Sequence, residues 1–194
     1  GRRWRPAEHD REPLPEDFHC LLEFALLASQ ENAFDPMEQA INALGRTALA
    51  GTEHLHRTWT LAREYPLSRQ LLAMSHAWRA TSGEGWVVAA KGAPETIADL
   101  CHLDEGRART LQAEVASLAD GGFRVLAVAA STVGGSALPD GQHDFPFELV
   151  GLLGLADPIR PTVPAAVAEC YQAGIRTVMI TGDYPGTARS IAAQ

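Results

Sequence analysis

The chain has 194 residues, 46% hydrophobic and 21% charged, the composition of a folded globular protein and not of a disordered or fibrous one. Its 16 Lys plus Arg stand against 24 Asp plus Glu, and the resulting formal charge of −8 disfavours a nucleic-acid backbone or an anionic membrane surface as main partner. No apolar run approaches the roughly 20 residues that cross a bilayer and no signal-peptide pattern opens the chain, so a soluble protein of one domain or slightly more is expected. Cys20, Cys101 and Cys170 are odd in number and widely separated. They suggest three buried or half-buried thiols, neither a disulfide framework nor a zinc site.

Residues 1–15 carry Arg2, Arg3, Arg5, Arg11, Pro6, Pro13 and Pro15 without any hydrophobic period, and read as a lead-in segment of doubtful order. From Glu16, the spacing of Phe18, Leu21, Leu22, Ala25 and Leu26 predicts an amphipathic helix ending near Ser29. Asp35, Pro36 and Glu38 follow as N-cap, first-turn proline and capping-box carboxylate of a second helix buried through Met37, Ile41 and Leu44. The period then changes. Trp59 with Leu61, the stretch 71–78, and 86–90 read as three antiparallel strands punctuated by Pro66 and a Gly83-Glu84-Gly85 turn.

Helical spacing returns at 93–100 and 105–120, the second helix stopped by Gly121-Gly122. Strands are expected at 123–131 and 147–155, separated by a Gly-, Pro- and Asp-rich loop over 134–146. After Asp157-Pro158-Ile159-Arg160-Pro161, read as a rigid hinge and domain boundary, come a helix ending at Gly174, a short buried strand over 175–180 and a further helix from about Tyr184. That order belongs to a parallel α/β sheet. The pass finds no internal repeat.

Lys91-Gly92-Ala93-Pro94-Glu95 joins a strand to a helix, and a lysine beside exposed helix N–H groups suits an anion such as phosphate; a solvated strand-end lysine is the competing reading. Thr181-Gly182-Asp183 stands at the carboxyl end of the expected last strand, where open α/β sheets place ligands. A plain turn with Asp183 capping the next helix is equally compatible. Asp35 and Glu38 are explained by capping, Arg124 reads as a weakly paired strand arginine, and His54 and His56 as solvated side chains without a third metal ligand. Trp59, Trp78 and Trp86 read as core aromatics.

In order along the chain, Phe34-Asp35-Pro36-Met37-Glu38, Tyr65-Pro66-Leu67-Ser68, Met74-Ser75, Lys91-Gly92-Ala93-Pro94-Glu95, Gly122-Phe123-Arg124-Val125-Leu126-Ala127, Asp157-Pro158-Ile159-Arg160 and Thr181-Gly182-Asp183 resemble the cytoplasmic loop of P-type cation-transporting ATPases, nearest to the calcium, proton and sodium/potassium type. The resemblance implies an α+β fold: a nucleotide-binding domain over 16–156, a twisted antiparallel sheet flanked by helices, followed over 157–194 by a partial α/β haloacid-dehalogenase-like phosphorylation domain. Carried over by motif, Glu38 would contact adenine, Lys91 would line the adenine pocket or reach the phosphates, Gly92 would belong to the same nucleotide site, Arg124 would hold the phosphate chain, and Asp157 and Arg160 would mark the hinge and help seat the nucleotide. Thr181 and Asp183 would belong to the phosphorylation chemistry.

The resemblance also implies ATP as ligand, Mg²⁺ in the intact enzyme, and a position on the cytoplasmic face of a membrane. The partners it implies are the remaining phosphorylation, actuator and membrane domains of one pump. Leu67 and Leu72 stand where the family carries a stacking phenylalanine and a nucleotide lysine, with Tyr65 as a substitute stacking residue. No Asp-Lys-Thr-Gly-Thr nucleophile block and no later Gly-Asp-Gly block is present, so this chain is not expected to phosphorylate itself. An incomplete terminal sheet would favour self-association through residues after Asp157. The rival readings are a haloacid-dehalogenase-type phosphatase and a non-catalytic interaction domain with a decayed nucleotide pocket.

Overall fold

A computed structural model describes residues 2–6, 12–80, 85–135 and 137–194. Among them, one antiparallel sheet runs in the order β1 (Thr60–Tyr65), β2 (Ala73–Arg79), β3 (Trp86–Gly92), β4 (Phe123–Val133), β5 (Glu148–Ala156). Each strand pairs with its sequence neighbours, and the Gly83-Glu84 part of the expected β2–β3 turn lies outside the described residues. The described residues also form six α-helices: α1 (His19–Leu27), α2 (Pro36–Ala48), α3 (Pro94–Leu100), α4 (Glu105–Asp120), α5 (Val163–Gln172) and α6 (Pro185–Ala192).

Strand alternation assigns the two faces. Ala73 and Ala77 of β2, Val88 and Ala90 of β3, and Ala127 and Ala129 of β4 form one core with Ile97 and Leu100 of α3 and with Phe145 and Phe147. The intervening residues Ala89 and Val128 turn to the other face, where Ala25, Leu27 and Ala28 from α1 and its end, together with Ile41 of α2, cover them. These small side chains let helices approach a sheet closely, while the covering layer contributes larger ones such as Ile97, Leu100 and Phe145.

The lead-in segment joins this core in part: Leu14 is buried with Leu22 and Leu49, and Trp4 packs against them, whereas residues 1 and 7–11 lie outside the described set. The expected loop over 134–146 also contributes, because Phe145 is fully buried and Gln142 accepts a hydrogen bond from Ser75 Oγ at 2.5 Å. Cys20, expected at least half-buried, is exposed; Cys101 is half-buried, and burial pushes its thiol up to about 11.

The largest correction concerns the end of the chain. Residues 175–180 form no strand, and Val178 and Ile180 are 70% and 93% exposed. An apolar run becomes a buried parallel strand only with neighbours to receive its N–H and C=O groups, and the described residues offer it none. The helix-strand-helix expected over 157–194 is therefore two helices joined by a stretch without regular secondary structure. The second of them is anchored: α6 packs on α4, with buried Thr187 donating to the Phe123 carbonyl at 2.8 Å.

Candidate nucleotide-binding site

Lys91 lies on β3, opposite Met74 of β2 and Val128 of β4. Alternation with Ala90 sends its side chain to the face covered by α1 and α2. There it is 4% exposed, donating to Glu38 Oε1 at 2.6 Å and to Ser29 Oγ at 2.5 Å. The Ser29 hydroxyl in turn donates a hydrogen bond to the Ala25 carbonyl at 2.8 Å. Burial holds the lysine below its ordinary pKa, opposed by the hydrogen bond and charge of Glu38 and by the charge of Asp35.

Glu38 is positioned by the start of α2. Asp35 caps this helix, its Oδ1 accepting from the Met37 and Glu38 N–H groups at 2.8 and 3.3 Å, and Pro36 opens the first turn. The capping-box reading of Glu38 is corrected in one respect: its carboxylate reaches Lys91 and the Gln30 N–H, 3.3 Å away. The buried ammonium wins this competition because an unpaired charge there would cost far more than a loose helix-end N–H.

The lysine and the first turn of α3 do not combine into one anion site. α3 packs on the opposite side of the sheet, while the ammonium turns toward α1 and α2. Gly92 has a structural reason of its own. A Cβ there would stand 2.3 Å from the Leu72 carbonyl oxygen and 2.6 Å from Ala73 Cα, so only glycine lets β2 approach β3 at this point.

Arg124 of β4 shares the face of Lys91 by alternation from Val128, and its Nε donates to Asp183 Oδ1 at 2.8 Å. Asp183 is no helix cap, since α6 starts after Tyr184 without a side-chain cap. Its carboxylate accepts instead from Arg124 and from the Thr181 hydroxyl at 2.9 Å. Nearby, the Tyr184 hydroxyl donates to Glu95 Oε2 at 2.5 Å, and burial with that carboxylate raises the phenol well above its usual range.

Tyr65 is not available as the substitute stacking residue. It pairs with Ser75, which puts it on the α3 face, where it is buried edge-on against Phe145 with its hydroxyl donating to the Pro139 carbonyl at 2.6 Å. The sheet itself separates it from Lys91. Leu67 and Leu72 are exposed, and Asp157 and Arg160 lie exposed in the stretch beyond β5. Thus the fold gathers Glu38 with Lys91 and Arg124 with Asp183 and Thr181, leaving Tyr65, Asp157 and Arg160 apart.

Sequence reasoning missed Ser29 and the pair Glu64 and His76. With Trp59 and Trp78, they line an open cleft of about 530 Å³ on the same face. It also missed that His54 and His56 are not solvated: both donate to the carboxylate of buried Glu23, at 2.5 and 2.6 Å. The alternation of β2 was the available signal for His76. Nothing local announces a carboxylate 31 residues before His54. Among the described residues no group of three or more His, Cys, Asp or Glu side chains is arranged so that it could hold a metal ion.

Residues 36–194, most of the chain, match the model of haloacid dehalogenase-like hydrolases. The chain belongs to the haloacid dehalogenase-like hydrolase family. Among curated relatives it is 34% identical over 168 residues to the sodium/potassium exporting P-type ATPase cta3 of Schizosaccharomyces pombe, covering 81% of this chain and 16% of that protein. It is 33% identical over 215 aligned positions to the probable cation-transporting ATPase F of Mycobacterium tuberculosis, covering 97% of this chain and 23% of that protein. It is 35% identical over 129 residues to the potassium-transporting ATPase alpha chain 2 of Homo sapiens, covering 57% of this chain and 12% of that protein.

These relatives bear out the likeness to P-type cation-transporting ATPases drawn from the motifs. This haloacid dehalogenase-like chain spans less than a quarter of the length of each of the three. No helix among its described residues is long and apolar enough to cross a membrane. The family match runs through the antiparallel sheet as well as through the residues after Asp157, so it does not by itself divide the chain there.

Proposed function

We propose that this chain is the ATP-binding part of a P-type cation-transporting ATPase, presenting the γ-phosphoryl group to an aspartate carried elsewhere in the pump. The observation that carries the reading is the Lys91–Glu38 pair, buried on the sheet face that also bears Arg124. A buried ammonium beside a carboxylate offers a donor and an acceptor together, the complement of adenine's ring nitrogen and amino group. Arg124 supplies a guanidinium for phosphate oxygens once Asp183 yields it. Mg²⁺, when bound in the whole pump, neutralises charge on the phosphates.

On this reading residues 16–156 are the nucleotide-binding domain and 157–194 part of the phosphorylation domain, with Asp157, Arg160, Thr181 and Asp183 facing that chemistry. Its partners are ATP or ADP and the other phosphorylation, actuator and membrane domains, at the cytoplasmic face of a membrane. The exposed apolar run 175–180 supports self-association when those domains are absent.

The test is calorimetric titration with ATP and ADP of the parent chain and a Lys91→Ala variant. Saturable binding weakened at least tenfold in the variant is expected, in line with loss of a charge-assisted contact of about 1.5–3 kcal/mol. Absence of binding at several millimolar nucleotide overturns the reading. A second reading, an interaction domain with a decayed pocket, is favoured by one observation: exposed Leu67 and Leu72 occupy the positions that the resemblance assigns to a stacking ring and a cation.

A further inference from the structure

The cleft beside Lys91 has a chemistry of its own. Its inner wall is organised by the Leu27 carbonyl at the end of α1, which accepts from His76 Nδ1 at 3.0 Å and from Trp78 Nε1 at 2.9 Å. A carbonyl oxygen only accepts, so the proton of the imidazole must sit on Nδ1. His76 is 2% exposed, and burial lowers its pKa below the ordinary value; the Lys91 charge acts in the same direction, while the Leu27 hydrogen bond and the carboxylates of Glu64 and Glu38 oppose it. The neutral ring therefore presents Nε2 as a bare acceptor.

Facing it is another acceptor. Glu64 Oε1 stands 3.9 Å from His76 Nε2, too far for a direct hydrogen bond and with no proton to share when the ring is neutral. Several of the other polar groups around the cleft are already engaged. Ser29 Oγ is used in both directions, the Gln30 carbonyl accepts from Asn42 at 2.8 Å, and Glu31 faces Arg46 at 3.7 Å. His76 Nε2 and the Glu64 carboxylate together present a pair of acceptors, one anionic, in a cleft that two indoles also line. Trp59 is held in place by stacking on His56 at 3.6 Å and 10°, and His56 in turn by Glu23.

We propose that this cleft is a second binding site, taking an organic cation with N–H donors, an alkylammonium or guanidinium group, bridged between His76 Nε2 and the Glu64 carboxylate and flanked by Trp59 and Trp78. Donors meet acceptors, the positive charge meets Glu64, and indoles favour cations over anions. A volume of about 530 Å³ suits a small molecule or a single long side chain. A nucleotide phosphate is excluded by the same charges. The site is lined by neither Lys91 nor Arg124, and so stands or falls separately from the nucleotide reading.

The test follows the indole N–H resonances of the full ¹⁵N-labelled chain during titration with agmatine, with a blocked Gly-Gly-Arg-Gly-Gly peptide, and with 1-pentanol as uncharged control. Saturable shifts at Trp59 and Trp78, with Trp4 and Trp86 unmoved, are expected for at least one cation. Glu64→Gln, at a half-exposed position on an edge strand that tolerates the change, should weaken binding at least tenfold. Agmatine binding without peptide binding identifies a free small molecule; peptide binding as tight or tighter identifies a protein side chain. Absence of saturable shifts with either cation overturns the proposal and leaves a bridging water between His76 and Glu64. Equal binding by the Glu64→Gln variant or by pentanol overturns it as well.

Discussion

At the scale of single residues, buried Lys91 and Glu23 have their hydrogen-bonding capacity largely used. Lys91 spends two of its three donors on Glu38 and Ser29, and Glu23 divides its two oxygens between His54 and His56. His76 is the group with one end satisfied and one end open. Because burial depresses its pKa in the folded protein, the unfolded chain takes up a proton from about pH 6.5 downward before the folded one does. This contribution to stability is intact above about pH 6.5 and is lost as pH falls from there through the folded value. Urea midpoints measured between pH 7.5 and 5 should decline accordingly, and His76→Gln should flatten that decline; an unchanged slope would assign it to other groups. None of this was legible locally. The tautomer of His76 depends on the Leu27 carbonyl 49 residues away, and the partner of His54 on a helix that the sequence shows only as an apolar stripe.

Elements were more legible than their partnerships. Hydrophobic period and capping residues place α1 to α4 and β3 to β5 within a few residues of their observed bounds, since each carries its own start and stop signals. Tyr65 was misassigned because the side of a sheet depends on register, and the pairing of Tyr65 with Ser75 across the β1–β2 connection is invisible in either strand alone. The run 175–180 failed for a related reason: its composition is that of a buried strand, but burial requires neighbours. Gly92 makes the dependence of one element on another testable. Gly92→Ala places a methyl group against the Leu72 carbonyl and Ala73, forcing β2 away from β3. A loss of about 1–3 kcal/mol is expected from such overpacking, measured by chemical denaturation. Faster amide exchange should appear at Ala73 and Met74, while α4 remains protected.

At the scale of the whole molecule, the buried clusters draw almost entirely on residues before Asp157, with half-buried Tyr184 as the later contributor. The segment after β5 is fastened at few points: Asp183 to Arg124, Tyr184 to Glu95, Thr187 to the Phe123 carbonyl, and Arg189 to Asp120. A chain ending at Ala156 should therefore retain a single cooperative unfolding transition. Loss of these few contacts, of which only the Thr187 hydrogen bond is made by a buried side chain, should cost about 2–3 kcal/mol. Light scattering should also find the shortened chain less associated than the parent, because the exposed Ile175, Val178, Met179 and Ile180 are gone. A shortened chain that is molten or more associated would show that 157–194 is part of the same folding unit.

The strand order carries a consequence in time. Since β1 to β5 pair only with their neighbours in sequence, the sheet has no strand that must wait for a distant partner. During synthesis at roughly 5–20 residues per second, each new strand can zip onto the one before it while α1 is already present to cover β3, β4 and β5. The ribosome would thus release a nearly finished sheet before residues 157–194 have emerged, and the apolar run 175–180 would enter solution beside a folded body instead of an unfolded chain.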